Sequence, residues 1–274
     1  MCAADPFQVI DQLNDDVLGI IAERLESRAK HPFIQRVMAD YLDALDVDSA
    51  ETVLDLGTGT GMAARVVARR PGFNGTVTGI DLSPYLVDLA ERYAQEEGFG
   101  DRLSFRVGDT RTLELESDTF DTVIAHTLFS HIDQPLDALD EIRRVLRPGG
   151  MIALFDGDYA SMTFALDDPL EGKNSDEKII SAISAQPFAM RIMPRLIQQA
   201  GLALEHARAY AMTEVGEADY WKTSVETYAR LAAQSGAMSE AAAGAWLEEV
   251  KRSSDAGTFF GSCNYITYIV RRPA

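Results

Sequence analysis

Apolar and polar positions alternate between two kinds of run along this chain. Short, nearly continuous apolar runs fall at TVLDL (52–56), TVTGID (76–81), RLSFRV (102–107), FDTVIA (120–125) and MIALFDGDY (151–159). Runs of this length bounded by turn residues predict strands buried on both faces. Between them lie MAARVVARR (62–70), LVDLAERYAQEEG (86–98) and DQPLDALDEIRRVLRPGG (133–150), whose apolar residues recur at helical spacing. Strand and helix alternating four times predict a parallel, doubly wound sheet.

The flanks of this core read differently. Residues 8 to 46 predict two helices. The first carries Val9, Leu13, Val17, Ile20, Ile21 and Leu25 on one face, and the second carries Ile34, Val37, Met38, Tyr41, Leu42 and Leu45. His31-Pro32 separates them, because the residue before proline avoids the α region. After the fifth strand comes a long insertion, 158–187, of which SDEKIISAIS (175–184) reads as helical. Residues 188–202 resume as a helix, 203–215 as a sixth strand, 217–254 as two further helices, and 259–273 as a seventh strand. The expected division is an N-terminal helical cap segment (1–47), a doubly wound core (48–157), a cap insertion (158–187) and the rest of the core (188–274) with a helical insertion at about 217–254. The three inserts together are read as a roof over the cleft. His31, Arg36 and Tyr41 are candidates to face a ligand from the first of them.

Composition narrows the partners. The 274 residues include 25 Lys and Arg against 43 Asp and Glu, a formal charge of −18. A surface that negative repels nucleic acid backbones and anionic lipid headgroups, so a small molecule is the expected partner. No window approaches the roughly 18 apolar residues of a membrane span, and the acidic start of the chain lacks a signal-peptide pattern, which points to the cytoplasm. Cys2 and Cys263 show neither metal-ligand spacing nor a disulfide framework, and no metal is expected. A monomer or a homodimer is equally compatible with these features.

The chemistry concentrates at VLDLGTGTG, Val53 to Gly61. A strand, a glycine turn and a helix start make a nucleotide-binding corner. Glycine is needed there because a Cβ would hold the backbone away from a ligand and would penalise positive φ. A dinucleotide fingerprint, G-x-G-x-x-G, would require a glycine where Met62 stands, which disfavours a nicotinamide-dependent oxidoreductase. Asp81 ends the second strand 26 residues after Asp55. It can accept hydrogen bonds from both hydroxyls of a ribose, or simply cap the helix that Ser83-Pro84 begins. Asp109, after the third strand, suits an adenine amine, or closes an Asx-turn.

The pattern D-x-G-x-G-x-G from Asp55, the acids at Asp81 and Asp109, and the phrase RVLRPGG before the fifth strand resemble the class I S-adenosylmethionine (SAM) methyltransferases, in particular the subgroup of the ubiquinone and menaquinone biosynthesis enzymes. The resemblance implies a Rossmann-like seven-stranded sheet whose last strand runs antiparallel between strands five and six. It implies SAM as cofactor, with Asp55, Gly57, Thr58, Gly59 and Gly61 along its methionine part, Asp81 and Leu82 at the ribose, Asp109 and Thr110 at the adenine, and His126 beside the donor. The activity implied is methyl transfer to O, N or C of a small metabolite by in-line displacement, of the kind found in secondary metabolite biosynthesis. The alternative is a SAM-binding enzyme of the same fold that catalyses cyclisation or decarboxylation. A non-catalytic partner subunit is disfavoured by the intact glycine and acid set.

Much of the acceleration of such a transfer comes from alignment and exclusion of water; a base is needed only for a hydroxyl or a protonated amine. His126, at the end of the fourth strand, is the first candidate for that base and His131 the second. Tyr159, with Asp156 and Asp158 after the fifth strand, is a candidate to orient the acceptor. Phe129, Phe164, Tyr220 and Trp221 are candidates for an apolar acceptor wall or for ordinary packing.

Overall fold

A computed structural model describes residues 5–274; Cys2 lies outside the described residues. The N-terminal segment forms two helices, α1 (Asp15–Lys30) and α2 (Pro32–Ala44). The first begins later than its apolar spacing predicts. The Asn14 side chain accepts the Val17 N–H at 3.0 Å and caps the helix there, leaving Ile10–Gln12 as a separate 3-10 turn. His31 ends α1 and caps α2, its Nδ1 accepting the Phe33 N–H, with Pro32 in the first turn.

The core follows as β1 (Thr52–Leu56), α3 (Met62–Ala68), β2 (Thr76–Asp81), α4 (Pro84–Glu96), β3 (Leu103–Val107), β4 (Phe120–His126), α5 (Pro135–Val145) and β5 (Leu146–Phe164). Then come α6 (Pro169–Ile183), α7 (Ala189–Gln199), β6 (Ala203–Gly216), α8 (Tyr220–Gln234), α9 (Glu240–Asp255) and β7 (Phe259–Arg271). The sheet order is β3-β2-β1-β4-β5-β7-β6. The neighbours from β3 to β5 are parallel, and β7 runs antiparallel to both β5 and β6. This is the expected doubly wound α/β sheet, Rossmann-like, with its last strand reversed.

Strand order turns between β1 and β4, and the carboxyl ends of the parallel strands face one crevice there, where open α/β sheets bind ligands. Each face of the sheet is sealed by apolar helix stripes. Leu139, Ile142, Met193 and Ile197 of α5 and α7 join Leu54, Val123, Ile152 and Leu154 in one cluster. Val37 of α2 and Val67 of α3 join Val53, Ile124 and Ala153 in the other. Full burial of one such side chain stabilises the fold by about 1.5–3 kcal/mol, so the core holds the crevice rigidly.

Two further elements, β5 and α6, depart from the sequence reading. The fifth strand continues well past Tyr159, because Thr163 and Phe164 still pair with Ser262 and Gly261 of β7. The insertion thus begins as an extended strand end. Its helix starts at Pro169, earlier than SDEKIISAIS suggests, because Asp168 accepts the Leu170 N–H at 2.8 Å and caps it. α6 packs on α8, and α8 on α9.

Phe164, Trp221, Tyr220 and Phe129, candidates for an acceptor wall, are buried in the core instead. Trp221 meets Phe164 and Tyr220 edge-to-face at 5.2 and 5.0 Å.

Candidate active site

The glycine corner joins β1 to α3. Gly57, Gly59 and Gly61 have φ of 65, 55 and 75°, in the left-handed region that other residues avoid. The bend is held by the Thr58 N–H to the Ile80 carbonyl and the Gly61 N–H to the Thr58 carbonyl. A Cβ on Gly57 would stand 2.7 Å from Leu128 Cδ1, and one on Gly59 would stand 3.1 Å from Leu25 Cδ1. Gly61 serves a different purpose from the one expected. It does not border the cleft; a Cβ there would strike the Phe105 ring at 2.9 Å and Ala90 at 3.0 Å. Its role is to let α3 close on the sheet and α4.

The three acids differ in state. Asp55 is almost wholly buried, and its Oδ2 accepts from the Thr58 hydroxyl at 2.6 Å and the Ala64 N–H at 3.2 Å. Burial raises its carboxyl pKa to about 7 despite those bonds. Asp81 accepts the Gly59 N–H on Oδ2 at 2.8 Å and the Ser83 N–H on Oδ1 at 2.9 Å. It therefore braces the corner and the start of α4 together, while the Ser83 hydroxyl caps α4. Burial raises the Asp81 pKa, opposed by those N–H donors. Asp109 closes an Asx-turn through the Arg111 N–H and also grips the Arg111 guanidinium at 2.6 Å; that ion pair lowers its pKa.

A cleft of about 1380 Å³, counting its mouth, opens above this corner. Asp55, Gly57, Thr58, Gly59, Asp81, Leu82, Asp109, Thr110, His126, His131 and Tyr159 all border it. Thr127 does too. It is β-branched yet has φ 56°, a conformation that occurs where surrounding structure enforces it, and its N–H is fixed on the Phe155 carbonyl.

The two histidines sit in opposite electrostatic settings. His126 Nδ1 lies 3.0 Å from the Tyr41 hydroxyl, and its Nε2 lies 3.5 Å from an Arg28 Nη. Arg28 can only donate, which leaves the lone pair on Nε2 and the proton on Nδ1. Burial, then the Arg28 charge, push the His126 pKa well below its ordinary value, so the ring is neutral. His131 Nδ1 lies 2.7 Å from Oδ2 of Asp5, a buried carboxylate that also accepts the Phe7 and Ala185 N–H groups. Burial opposes charge on this ring too, but the Asp5 carboxylate outweighs it and raises the His131 pKa.

Tyr159 is buried at the cleft wall, and burial followed by Asp156 keeps its phenol protonated. Asp156 is committed to the Ser130 N–H and hydroxyl and to the Gly157 N–H. Asp158 pairs with Arg191 at 2.7 Å. Tyr41 reaches the site through His126, His31 makes a 3.6 Å pair with Asp219, and Arg36 lies exposed over the Phe33 ring.

Sequence reasoning placed the N-terminal helices over the cleft but missed the arginines of α1. This helix crosses the corner and is latched by Glu26, which accepts from the Thr60 hydroxyl at 2.6 Å and pairs with Arg65. Its Arg24 and Arg28 border the cleft. The signal was present: two arginines four residues apart, each three residues beyond Ile21 or Leu25 of the buried stripe. Asp5 carried no such signal, since its partner lies 126 residues away.

Residues 54–154 match the family model described as a methyltransferase domain. The sterol 24-C-methyltransferase ERG6B of Gibberella zeae is 35% identical over 173 residues, 62% of this chain and 44% of that protein. Methyltransferase GfsG of Streptomyces halstedii is 34% identical over 122 residues, 44% of this chain and 43% of that protein. The matches thus span under half the length of these relatives. Among solved structures, the [4+2]-cyclase SpnF shares the fold, with a TM-score of 0.65 and 18% identity over 99% of this chain and 98% of that one. Domain match, sheet order and glycine corner agree: residues 54–154 match a methyltransferase domain, set in a Rossmann-like sheet.

Proposed function

We propose that the chain is a SAM-dependent methyltransferase acting on a hydroxyl or a protonated amine of a small molecule, with His131 as the proton acceptor. One observation carries the reading. The glycine corner and the Asp5-braced imidazole of His131 border the same cleft.

The residues fit SAM. Gly57 and Gly59 bring bare backbone to the cleft where a Cβ would crowd Leu128 and Leu25, and acids that accept hydrogen bonds stand at the ends of β1 and β2 and just beyond β3. Gly57, Thr58 and Gly59 would hold the methionine part, Asp81 with Leu82 the ribose, and Asp109 with Thr110 the adenine. Bound there, SAM supplies a methyl group on a positively charged sulfur.

The chain's own work is to orient the acceptor and take its proton. His131 keeps the proton on Nδ1, donated to Asp5, and accepts the acceptor's proton at Nε2. Asp5 stabilises the imidazolium that results. His126, neutral and beside Arg28, is a weak base, and its role is to shape the wall with Tyr41. Tyr159 offers a hydroxyl for hydrogen bonding. α1 excludes water from above.

The test is transfer of a labelled methyl group from SAM into a metabolite extract, wild type against His131→Ala. Label appearing in one or more small molecules, and lost in the variant, supports the reading. Consumption of an acceptor without label incorporation would favour the cyclisation or decarboxylation alternative.

A further inference from the structure

In a chain with a formal charge of −18, two cleft arginines lack an acid partner. Arg24 and Arg28 stand one turn apart on α1 and border the same cleft as the glycine corner. Among the described residues neither makes an ion pair. Arg24 donates from one Nη to the Tyr228 hydroxyl at 3.2 Å and lies 5.0 Å over that ring, while its buried Nε has no hydrogen-bond partner. Among the described residues the Arg28 guanidinium makes one hydrogen-bond contact, with the Nε2 of His126 at 3.5 Å. A guanidinium has five donors and does not give up its charge, so two held here without a carboxylate leave a strong, unanswered demand for an anion.

Their neighbours locate that demand. Asp81 ends β2, and Asp109 lies just beyond β3. The arginines instead touch His126 at the end of β4 and Tyr228 of α8, in the cap. Arg24 is near enough to His131 for its charge to oppose the protonation of that ring. We propose that Arg24 and Arg28 form a carboxylate clamp for the methyl acceptor, which is therefore a small carboxylic acid. An acid held there by its carboxylate presents its remaining polar group on the His131 side of the cleft. The inference rests on the cofactor reading above. A carboxylate can come from the acceptor or from the amino-acid end of the cofactor, and the fork geometry would grip either.

The probes are benzoate and its neutral amide, benzamide, titrated calorimetrically into the protein with and without S-adenosylhomocysteine. Benzoate is expected to bind at least tenfold more tightly than benzamide, and Arg24→Gln/Arg28→Gln is expected to abolish that preference. A variant with both arginines changed to lysine keeps the charge and serves if the glutamine pair does not fold; it should retain part of the preference. Equal binding of acid and amide to the wild type overturns the proposal. The second arm compares S-adenosylhomocysteine with methylthioadenosine, which lacks the amino-acid end. Loss of affinity for the first alone in the variant overturns the acceptor assignment, because the clamp then serves the cofactor. If the wild type binds no S-adenosylhomocysteine, the cofactor reading fails, whereas a benzoate preference measured without it still reports on the clamp.

Discussion

Nδ1 of His131 lies 2.7 Å from Oδ2 of Asp5, so a residue before the first helix braces a ring beyond the fourth strand. The pairing raises the His131 pKa above its ordinary value. A base must be neutral to accept a proton, so turnover should rise with pH through that elevated pKa. Asp5→Asn should move the rising limb to lower pH and reduce the maximum. His131→Ala should lower turnover by about a hundredfold, the lower end of what general base catalysis contributes, with S-adenosylhomocysteine affinity changed less than threefold. His126→Gln should cost less than tenfold. Steady-state rates across pH and calorimetry check all three, and an unshifted limb in Asp5→Asn would remove the dyad.

Asp81 fastens two backbone N–H groups besides facing the cleft. Asp81→Ala should weaken S-adenosylhomocysteine binding by more than tenfold, about 1.4 kcal/mol, and should also lower the melting temperature. Circular dichroism should show the fold retained. Affinity near that of the wild type would refute the ribose assignment.

The buried Asp55 carboxyl titrates at about 7 in the folded protein against an ordinary 3.8. The folded state therefore binds the proton more tightly than the unfolded chain. That contribution is fully present below pH 3.8 and is lost as pH rises to 7. Between pH 5 and 8 the wild type should lose roughly 1–3 kcal/mol of unfolding free energy relative to Asp55→Asn. Urea titrations of both proteins across that range read the difference, and parallel curves would show that the carboxyl is not perturbed.

Gly61 separates packing from binding. Gly61→Ala meets both a positive φ and the Phe105 ring, and should destabilise the fold by roughly 2–3 kcal/mol. The folded fraction should bind S-adenosylhomocysteine within threefold of the wild type. A large loss of affinity in folded protein would restore Gly61 to the binding surface.

The strands were legible because parallel strands buried on both faces leave uninterrupted apolar runs, as FDTVIA does. The corner was legible because backbone bends of that kind demand glycine at fixed spacing. Caps decided what was missed. Asn14 and Asp168 set the real starts of α1 and α6, and one hydrogen bond from a polar side chain outweighs an apolar period that runs on past it. The end of β5 was hidden because its partner residues, Ser262 and Gly261, are almost a hundred positions away. Trp221 and Phe164 read equally well as acceptor wall or core, since an aromatic side chain suits both and only tertiary placement decides. The pairing of His131 with Asp5 and the isolation of Arg24 and Arg28 are long-range facts with little local trace.

The final strand also constrains how the protein is made. A ribosome delivers β5 and β6 before β7, yet β7 separates them in the finished sheet. Until it emerges, each of the two earlier strands presents a row of unsatisfied amides able to recruit another nascent chain. Tyr265 of β7 backs Phe155 at 5.5 Å, and Phe155 in turn lies 4.7 Å from His126. The wall behind that histidine is thus completed only once β7 emerges, and the same event covers the facing edges of β5 and β6.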